Sequence, residues 1–266
     1  MKELTLRKIA EACHGTVAPE AETVTVTGVQ SDSRRVRPGD LFVAIKGEKA
    51  DGHDFVAMAA SLGAKAALVA RPVEAPIPTI LVADTIRAYG DLAAAYREHA
   101  GITVIGITGS VGKTTTKEMT ACLLARSFHT ARTEGNHNNN LGLPMTILDM
   151  PDDTEVAVLE MGMNHFGEMA YLTSIARPDI AIITNIGTMH IEHLGSREGI
   201  LQAKLEIFRG VPKNGVGVFN GDEPLLWNIR SDGGHKKYYY GVENRACDVL
   251  ATDIQELEDG MRFVVN

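Results

Sequence analysis

Between residues 102 and 117 the chain reads Ile-Thr-Val-Ile-Gly-Ile-Thr-Gly-Ser-Val-Gly-Lys-Thr-Thr-Thr-Lys, and this stretch limits the possible folds more than any other. Ile102 to Ile107 is apolar and β-branched, which predicts a buried strand. Gly109-Ser110-Val111-Gly112-Lys113-Thr114 follows, and then a helical pattern from Thr115 to Ser127. Strand, glycine turn and helix together make a phosphate cradle: backbone N–H groups converge on phosphate oxygens and the helix N-terminus adds partial positive charge. Lys113 can reach terminal phosphates and the Thr114 hydroxyl can hold Mg²⁺. Ile107 stands where the common pattern has its first glycine, while the shorter Gly-x-x-Gly-Lys-Thr core is intact. The spacing Gly106-x-x-Gly109-x-x-Gly112, followed at once by lysine, disfavours a dinucleotide fingerprint. The bland alternative is a turn that merely links strand to helix; the flanking elements favour a nucleoside triphosphate site.

A length of 266 residues suits two domains or one large one, and 44% hydrophobic content suffices for a packed core. The net charge of −8, with no basic stripe, argues against a nucleic-acid partner. No apolar run approaches a membrane span, and the start, Met-Lys-Glu-Leu-Thr-Leu-Arg, lacks a signal-peptide core. Cys13, Cys122 and Cys247 show neither metal spacing nor a disulfide framework, as expected of thiols in a reducing cytoplasm.

Taken in order, Thr5 predicts a helix N-cap, and Val24 to Val29 and Leu41 to Ile45 predict strands on either side of a Pro38-Gly39-Asp40 turn. A helix over Phe55–Leu62, strands over Ala66–Val69 and Ile80–Val82, and a helix capped by Thr85 and running to about His99 follow. The domain boundary is therefore expected near residue 99, giving domains 1–99 and 100–266. The second alternates: strands at Glu155–Glu160, Asp179–Asn185 and Val216–Asn220, helices at Gly167–Ala176 and Ser196–Phe208. That alternation predicts an α/β fold with a mostly parallel sheet flanked by helices. Val249–Gln255 and Arg262–Val265 around Asp259-Gly260 predict a small antiparallel hairpin. The chain stops on an apolar strand, which reads as a truncation.

Several residues at strand ends carry possible chemistry. Glu160 closes a buried strand, where open α/β sheets place ligands, so Mg²⁺ binding competes with a capping or salt-bridged role. Thr184-Asn185-Ile186-Gly187-Thr188-Met189-His190 repeats the construction; His190 suits either a phosphate or metal role or a structural one. Lys204 borders an apolar helix face, where it either snorkels to solvent or serves as a functional amine of lowered pKa. Asn136-His137-Asn138-Asn139-Asn140 is a turn-forming amide cluster or a hydrogen-bonding floor for a polar ligand. Asn220-Gly221-Asp222-Glu223 is a turn or a nucleotide contact.

These motifs together resemble the ATP-dependent Mur ligases of peptidoglycan synthesis, over essentially the whole chain. The resemblance rests on residues 108–118, Gly135–Pro144, Glu160–Glu168, Thr184–His190, Ala203–Phe208 and Asn220–Asp222. In the N-terminal part it rests on Asp32-Ser33-Arg34, Pro38–Ala44 and Asp51-Gly52-His53, which look like a uridine-nucleotide-binding domain. Thr116-Lys117-Glu118 and the asparagine cluster favour the branch that adds D-alanyl-D-alanine to UDP-N-acetylmuramoyl-tripeptide. The resemblance implies an N-terminal UDP-substrate-binding domain and a central ATP-binding domain. Gly109, Ser110, Val111, Gly112, Lys113, Thr114 and Thr115 would bind ATP phosphates, with Asn185 and Asn220 near the nucleotide. Thr114 and Glu160 would hold one Mg²⁺ and His190 a second, helped by Lys204 as a CO₂-derived carbamate. Ser33 and Arg34 would face the UDP moiety, and Asn136, Asn138 and Asn139 the rest of the substrate.

It further implies an acyl-phosphate mechanism, with Lys113, Glu160, His190 and Lys204 as catalytic residues, in a cytoplasmic monomer. Family members carry a third, C-terminal domain, absent after Asn266, so this chain alone is expected to have little ligase activity. The rivals are a diamino-acid-adding ligase, the folate-polyglutamate ligase (against which the uridine-type motifs argue) and a nucleotide-binding module without chemistry.

Overall fold

The computed structural model describes residues 2–266. The chain forms two compact units, the first from Met1–Ile102 with Asn140–Thr154, the second from Thr103–Asn139 with Glu155–Asn266. A single cut near residue 99 therefore needs correction, because Asn140–Thr154 returns to the first unit. Its helix Gly142–Leu148 buries Leu143, Ile147 and Leu148 and packs against the helix Thr85–Ala100. Pro144 hides this helix from a sequence reading, yet it lies in the first turn, where its missing N–H costs little.

The first unit is built on a parallel sheet of four strands in the order Gly28–Gln30, Asp40–Val43, Ala66–Val69, Thr79–Leu81. The two inner strands are buried along their whole length, as strands covered on both faces must be. Phe42, Ala44, Ala67 and Val69 pack with Val56 and Ala59 of the helix Val56–Ser61. Two local expectations change. Val24–Val29 is two strands: Thr25–Val26 pairs antiparallel with Leu4–Thr5, while Gly28–Gln30 joins the four-stranded sheet. Thr27 between them donates its N–H to the Gly39 carbonyl. The cap of Thr85–Ala100 is Asp84, whose carboxylate accepts from Ile86 N (2.8 Å) and Arg87 N (3.0 Å).

The second unit holds a sheet of eight strands. Their order is Gly260–Val265, Val249–Leu257, Lys236–Gly241, Val216–Asn220, Ile180–Ile183, Thr103–Thr108, Val156–Glu160, Thr130–Arg132. All neighbours are parallel except the exposed final pair, the antiparallel hairpin that Asp259-Gly260 implied. The edge strand Thr130–Arg132 and the tyrosine-rich Lys236–Gly241 lie outside the sequence expectation. From Thr103–Thr108 the chain runs to one edge, returns to Val156–Glu160, then crosses to Ile180–Ile183. The order thus reverses beside Thr103–Thr108, and such a switch point opens a crevice at the carboxyl ends of the strands. Register aligns those ends, with Ile107 opposite Glu160 and Thr108 opposite Ile183. Ile105, Ile107, Val156 and Val158 pack with Ala121 of the helix Lys113–Leu124, which holds that helix against the sheet. Among the described residues, no helix is long and apolar enough to cross a membrane.

Candidate functional site

The phosphate loop leaves the buried strand Thr103–Thr108 and enters the helix Lys113–Leu124. Gly109 has φ +154°, and a Cβ there would run into Thr184 Oγ1, so only glycine fits. Gly112 caps the helix in the left-handed region at φ +81°. The Lys113 ammonium bends back over the loop and donates to the carbonyls of Gly109 (2.8 Å) and Ser110 (3.4 Å). Burial pushes its pKa down, and the Glu160 carboxylate opposes that shift.

The loop after Ile180–Ile183 straps this turn in place. Asn185 Oδ1 accepts from the N–H groups of Ser110 (3.1 Å) and Val111 (2.9 Å). The Thr184 hydroxyl donates to the Val111 carbonyl (2.6 Å), and Gly187 N donates to Ser110 Oγ (2.9 Å). Asn185 therefore touches the cradle's own amides. Arg197 joins this strap to the next strand end: its guanidinium donates to the Ile186 carbonyl (2.6 Å) and pairs with Glu223 (2.7 Å). Nothing in the sequence pattern marks that link.

Glu160 is 3% exposed at the end of its strand. Oε2 accepts from the Thr114 hydroxyl and Oε1 from Asn138 Nδ2, each at 2.9 Å. Its N–H donates to Thr133 Oγ1 (2.9 Å). A hydroxyl, a carboxylate and an amide converge at the head of the phosphate loop. This oxygen-rich donor set suits a hard divalent cation. Asn138 thus sits at Glu160, with its backbone carbonyl accepting from Gly162 N (2.8 Å). Asn136 and Asn139 are exposed on the same loop.

Lys204 lies in the last turn of the helix Arg197–Leu205 among buried Ile200, Leu201 and Ala203, and is 3% exposed. No hydrogen bond or ion pair among the described residues holds its ammonium. Burial, reinforced by the positive Lys113, pushes its pKa down to about 7. The stem of the side chain is buried rather than laid along the surface.

Other expected residues are less closely gathered. His190 has φ +65° and caps the short helix Ile191–Leu194, its carbonyl accepting from His193 N and Leu194 N. No hydrogen bond or ion pair joins its ring to Glu160 or Lys204, and among the described residues no group of three or more His, Cys, Asp or Glu converges as a metal site. Asn220 Oδ1 accepts from Asp222 N (3.0 Å), and the Asp222 carboxylate accepts from Val242, Glu243 and Asn244 N–H groups. Of the two readings of that segment, the turn describes the bonds made. Thr115 is exposed on the first turn of the phosphate-loop helix.

In the first unit, Ser33 and Arg34 form a short helical turn capped by Asp32. Arg34 is exposed and grips Asp32 by two bonds (2.9 and 2.7 Å), which pushes that carboxyl down to about 2. Ala70 N donates to His53 Nε2 (2.8 Å), so the ring proton sits on Nδ1, which faces Asp51 at 2.6 Å.

The geometry agrees with what comparison with known proteins finds. Residues 107–266 match the Mur ligase middle domain, and residues 25–108 match the domain described as Mur ligase family, catalytic domain. The chain is 45% identical to the UDP-N-acetylmuramoyl-tripeptide--D-alanyl-D-alanine ligase of Bacillus subtilis over 269 aligned residues, covering 100% of this chain. It spans only 58% of that relative's length. A crystal structure of MurF from Acinetobacter baumannii superposes with a TM-score of 0.88 at 37% identity, covering 100% of this chain and 61% of that one. The MurF ligase of Thermotoga maritima in complex with ADP gives 0.80 at 33% identity, covering 90% and 58%. Family matches along both units and a phosphate loop that meets Glu160 at the sheet's switch point lead to one conclusion: the chain belongs to the Mur ligase family.

Proposed function

We propose that this chain is the substrate- and nucleotide-binding part of an ATP-dependent ligase. The ligase adds D-alanyl-D-alanine to UDP-N-acetylmuramoyl-tripeptide in peptidoglycan synthesis. The observation that carries this reading is the Thr114–Glu160 contact at the head of the Lys113 loop, in a chain aligned end to end with relatives of that name. The first unit takes the UDP compound through Ser33 and Arg34, and Asn136, Asn138 and Asn139 face the remainder of the substrate. The second unit takes ATP. The ligase works as a cytoplasmic monomer.

A phosphoryl transfer and then an acyl transfer follow. A carboxylate oxygen of the tripeptide bonds to the γ-phosphorus of ATP as ADP leaves, giving an acyl phosphate. The amine of D-alanyl-D-alanine then bonds to the acyl carbon, phosphate leaves and the nitrogen sheds a proton. The N–H groups at the start of the helix Lys113–Leu124 donate to phosphate oxygens, since those of Ser110 and Val111 are held by Asn185, and Lys113 exchanges the carbonyls of Gly109 and Ser110 for the terminal phosphate. Asn185 acts by holding the loop, while a nucleotide contact from Asn220 rests on the resemblance alone. Two Mg²⁺ ions, one on Thr114 and Glu160 and one on His190 and a carbamylated Lys204, would neutralise charge on the phosphoryl oxygens. The pKa of about 7 keeps a share of Lys204 as the neutral amine that reacts with CO₂.

Calorimetry with UDP-N-acetylmuramoyl-tripeptide, competed by the corresponding dipeptide compound, tests the substrate. Preference for the tripeptide is expected. Preference for the dipeptide would instead favour the diamino-acid-adding ligase.

A further inference from the structure

We infer that Lys117 is a positioning residue that sets Glu160 against Thr114 and so tunes the cation affinity of the phosphate site. The inference rests on the nucleotide-binding reading above. Lys117 is 1% exposed and lies one turn beyond Thr114 on the helix Lys113–Leu124, so both project from one side of that helix. Its ammonium donates to the Thr133 carbonyl at 2.6 Å. Thr133 is fully buried, and its hydroxyl accepts from Glu160 N at 2.9 Å. Glu160 Oε2 in turn accepts from the Thr114 hydroxyl. These contacts close a ring from helix to Thr133, to Glu160, and back to the helix.

A buried ammonium is costly unless bonded, so its presence here calls for a role. Glu118 (3.0 Å) balances its charge and is held in turn by Arg132 at 2.8 Å. The bonds that matter for the site run inward. Thr133 is tied on both sides, since its own N–H donates to the Val158 carbonyl (3.1 Å) on the strand that ends in Glu160. Lys117 thus fixes the segment on which the Glu160 backbone leans. Without the ammonium, Thr133 loses its tie to the helix and Glu160 loses its fixed distance from Thr114. Partners one layer out from cation ligands are typically worth about 10- to 100-fold in metal affinity.

The test is the Mg²⁺ dependence of binding of a ribose-labelled fluorescent ATP, measured on the full chain for wild type, Lys117→Met, Thr133→Val and Thr133→Ser. The expected result is a Mg²⁺ half-saturation raised about tenfold in Lys117→Met and Thr133→Val. Affinity in excess chelator should be unchanged, and Thr133→Ser, which keeps the hydroxyl, should behave as wild type. A merely structural role would weaken binding equally with and without Mg²⁺, and that outcome overturns the inference. If Lys117→Met does not fold, the two Thr133 variants decide; if Thr133→Val also does not fold, the ring is structural and the inference fails. A wild type that binds the probe without any Mg²⁺ effect overturns the metal part of the parent reading as well.

Discussion

Two lysines are sunk into the second unit, at 1% and 3% exposure, and their surroundings are opposite. Around Lys117 the fold supplies a carbonyl and a carboxylate, so the ammonium is a bonded anchor. Around Lys204 it supplies apolar helix neighbours, and the like-signed Lys113 acts on it. The lesson is that burial alone does not define a lysine's role. A buried amine with acceptors organises its neighbours, whereas one without them is driven toward the neutral, nucleophilic form.

The sharpest way to break this contrast is Lys204→Met. The folded pKa lies near 7 against an ordinary 10.5. Below about pH 7 the folded state carries the full penalty of a buried charge. As pH rises from 7 toward 10.5 the folded form releases a proton that the unfolded form keeps, so the penalty is progressively relieved. Lys204→Met should therefore raise stability by up to about 5 kcal/mol at about pH 6 and by much less at about pH 10. Denaturant melts in CO₂-free buffer check this; a pH-independent loss of stability would contradict it.

Lys117→Met should act in the opposite sense, costing about 2 kcal/mol, because the buried Thr133 carbonyl loses a charged donor. The smallest effect belongs to Glu118→Gln. Glu118 is half exposed, and its pairs with Lys117 and Arg132 are screened by solvent, so only a slight change is expected in the same melts. A larger loss would mean that Glu118, rather than the Thr133 carbonyl, holds Lys117 in place.

Much of this architecture is legible in the sequence where a local signal repeats a global one. The β-branched run, the glycines and Lys113 announce strand, turn and helix at once; Glu160 closes a strand whose apolar run is unmistakable, and Asn185 follows one that ends at Ile183 rather than at Asn185 itself. Asp259-Gly260 likewise marks its hairpin. Other features depend on partners far along the chain. Asn140–Thr154 carries no sign that it returns to the first unit. Lys117 enters the sequence reading only as part of the Thr116-Lys117-Glu118 motif, and its bonds to Thr133 and Glu118 emerge only from the fold. Asn138 reads as one amide in a polar loop, yet only in three dimensions does it reach Glu160. Lys204 is visible as an oddity on an apolar face, but its 3% exposure is a property of the packed helix.

The central claim is that the Gly109–Thr114 loop binds ATP phosphates through Lys113, with a cation on Thr114 and Glu160. Its most direct test is titration calorimetry of Mg-ATP into this chain and into Lys113→Ala. Removing a charged donor from a phosphate site should weaken binding by roughly 10- to 100-fold. The variant should keep the wild-type circular dichroism spectrum. Equal affinity in the two proteins, or no binding by a folded wild type, would contradict the assignment.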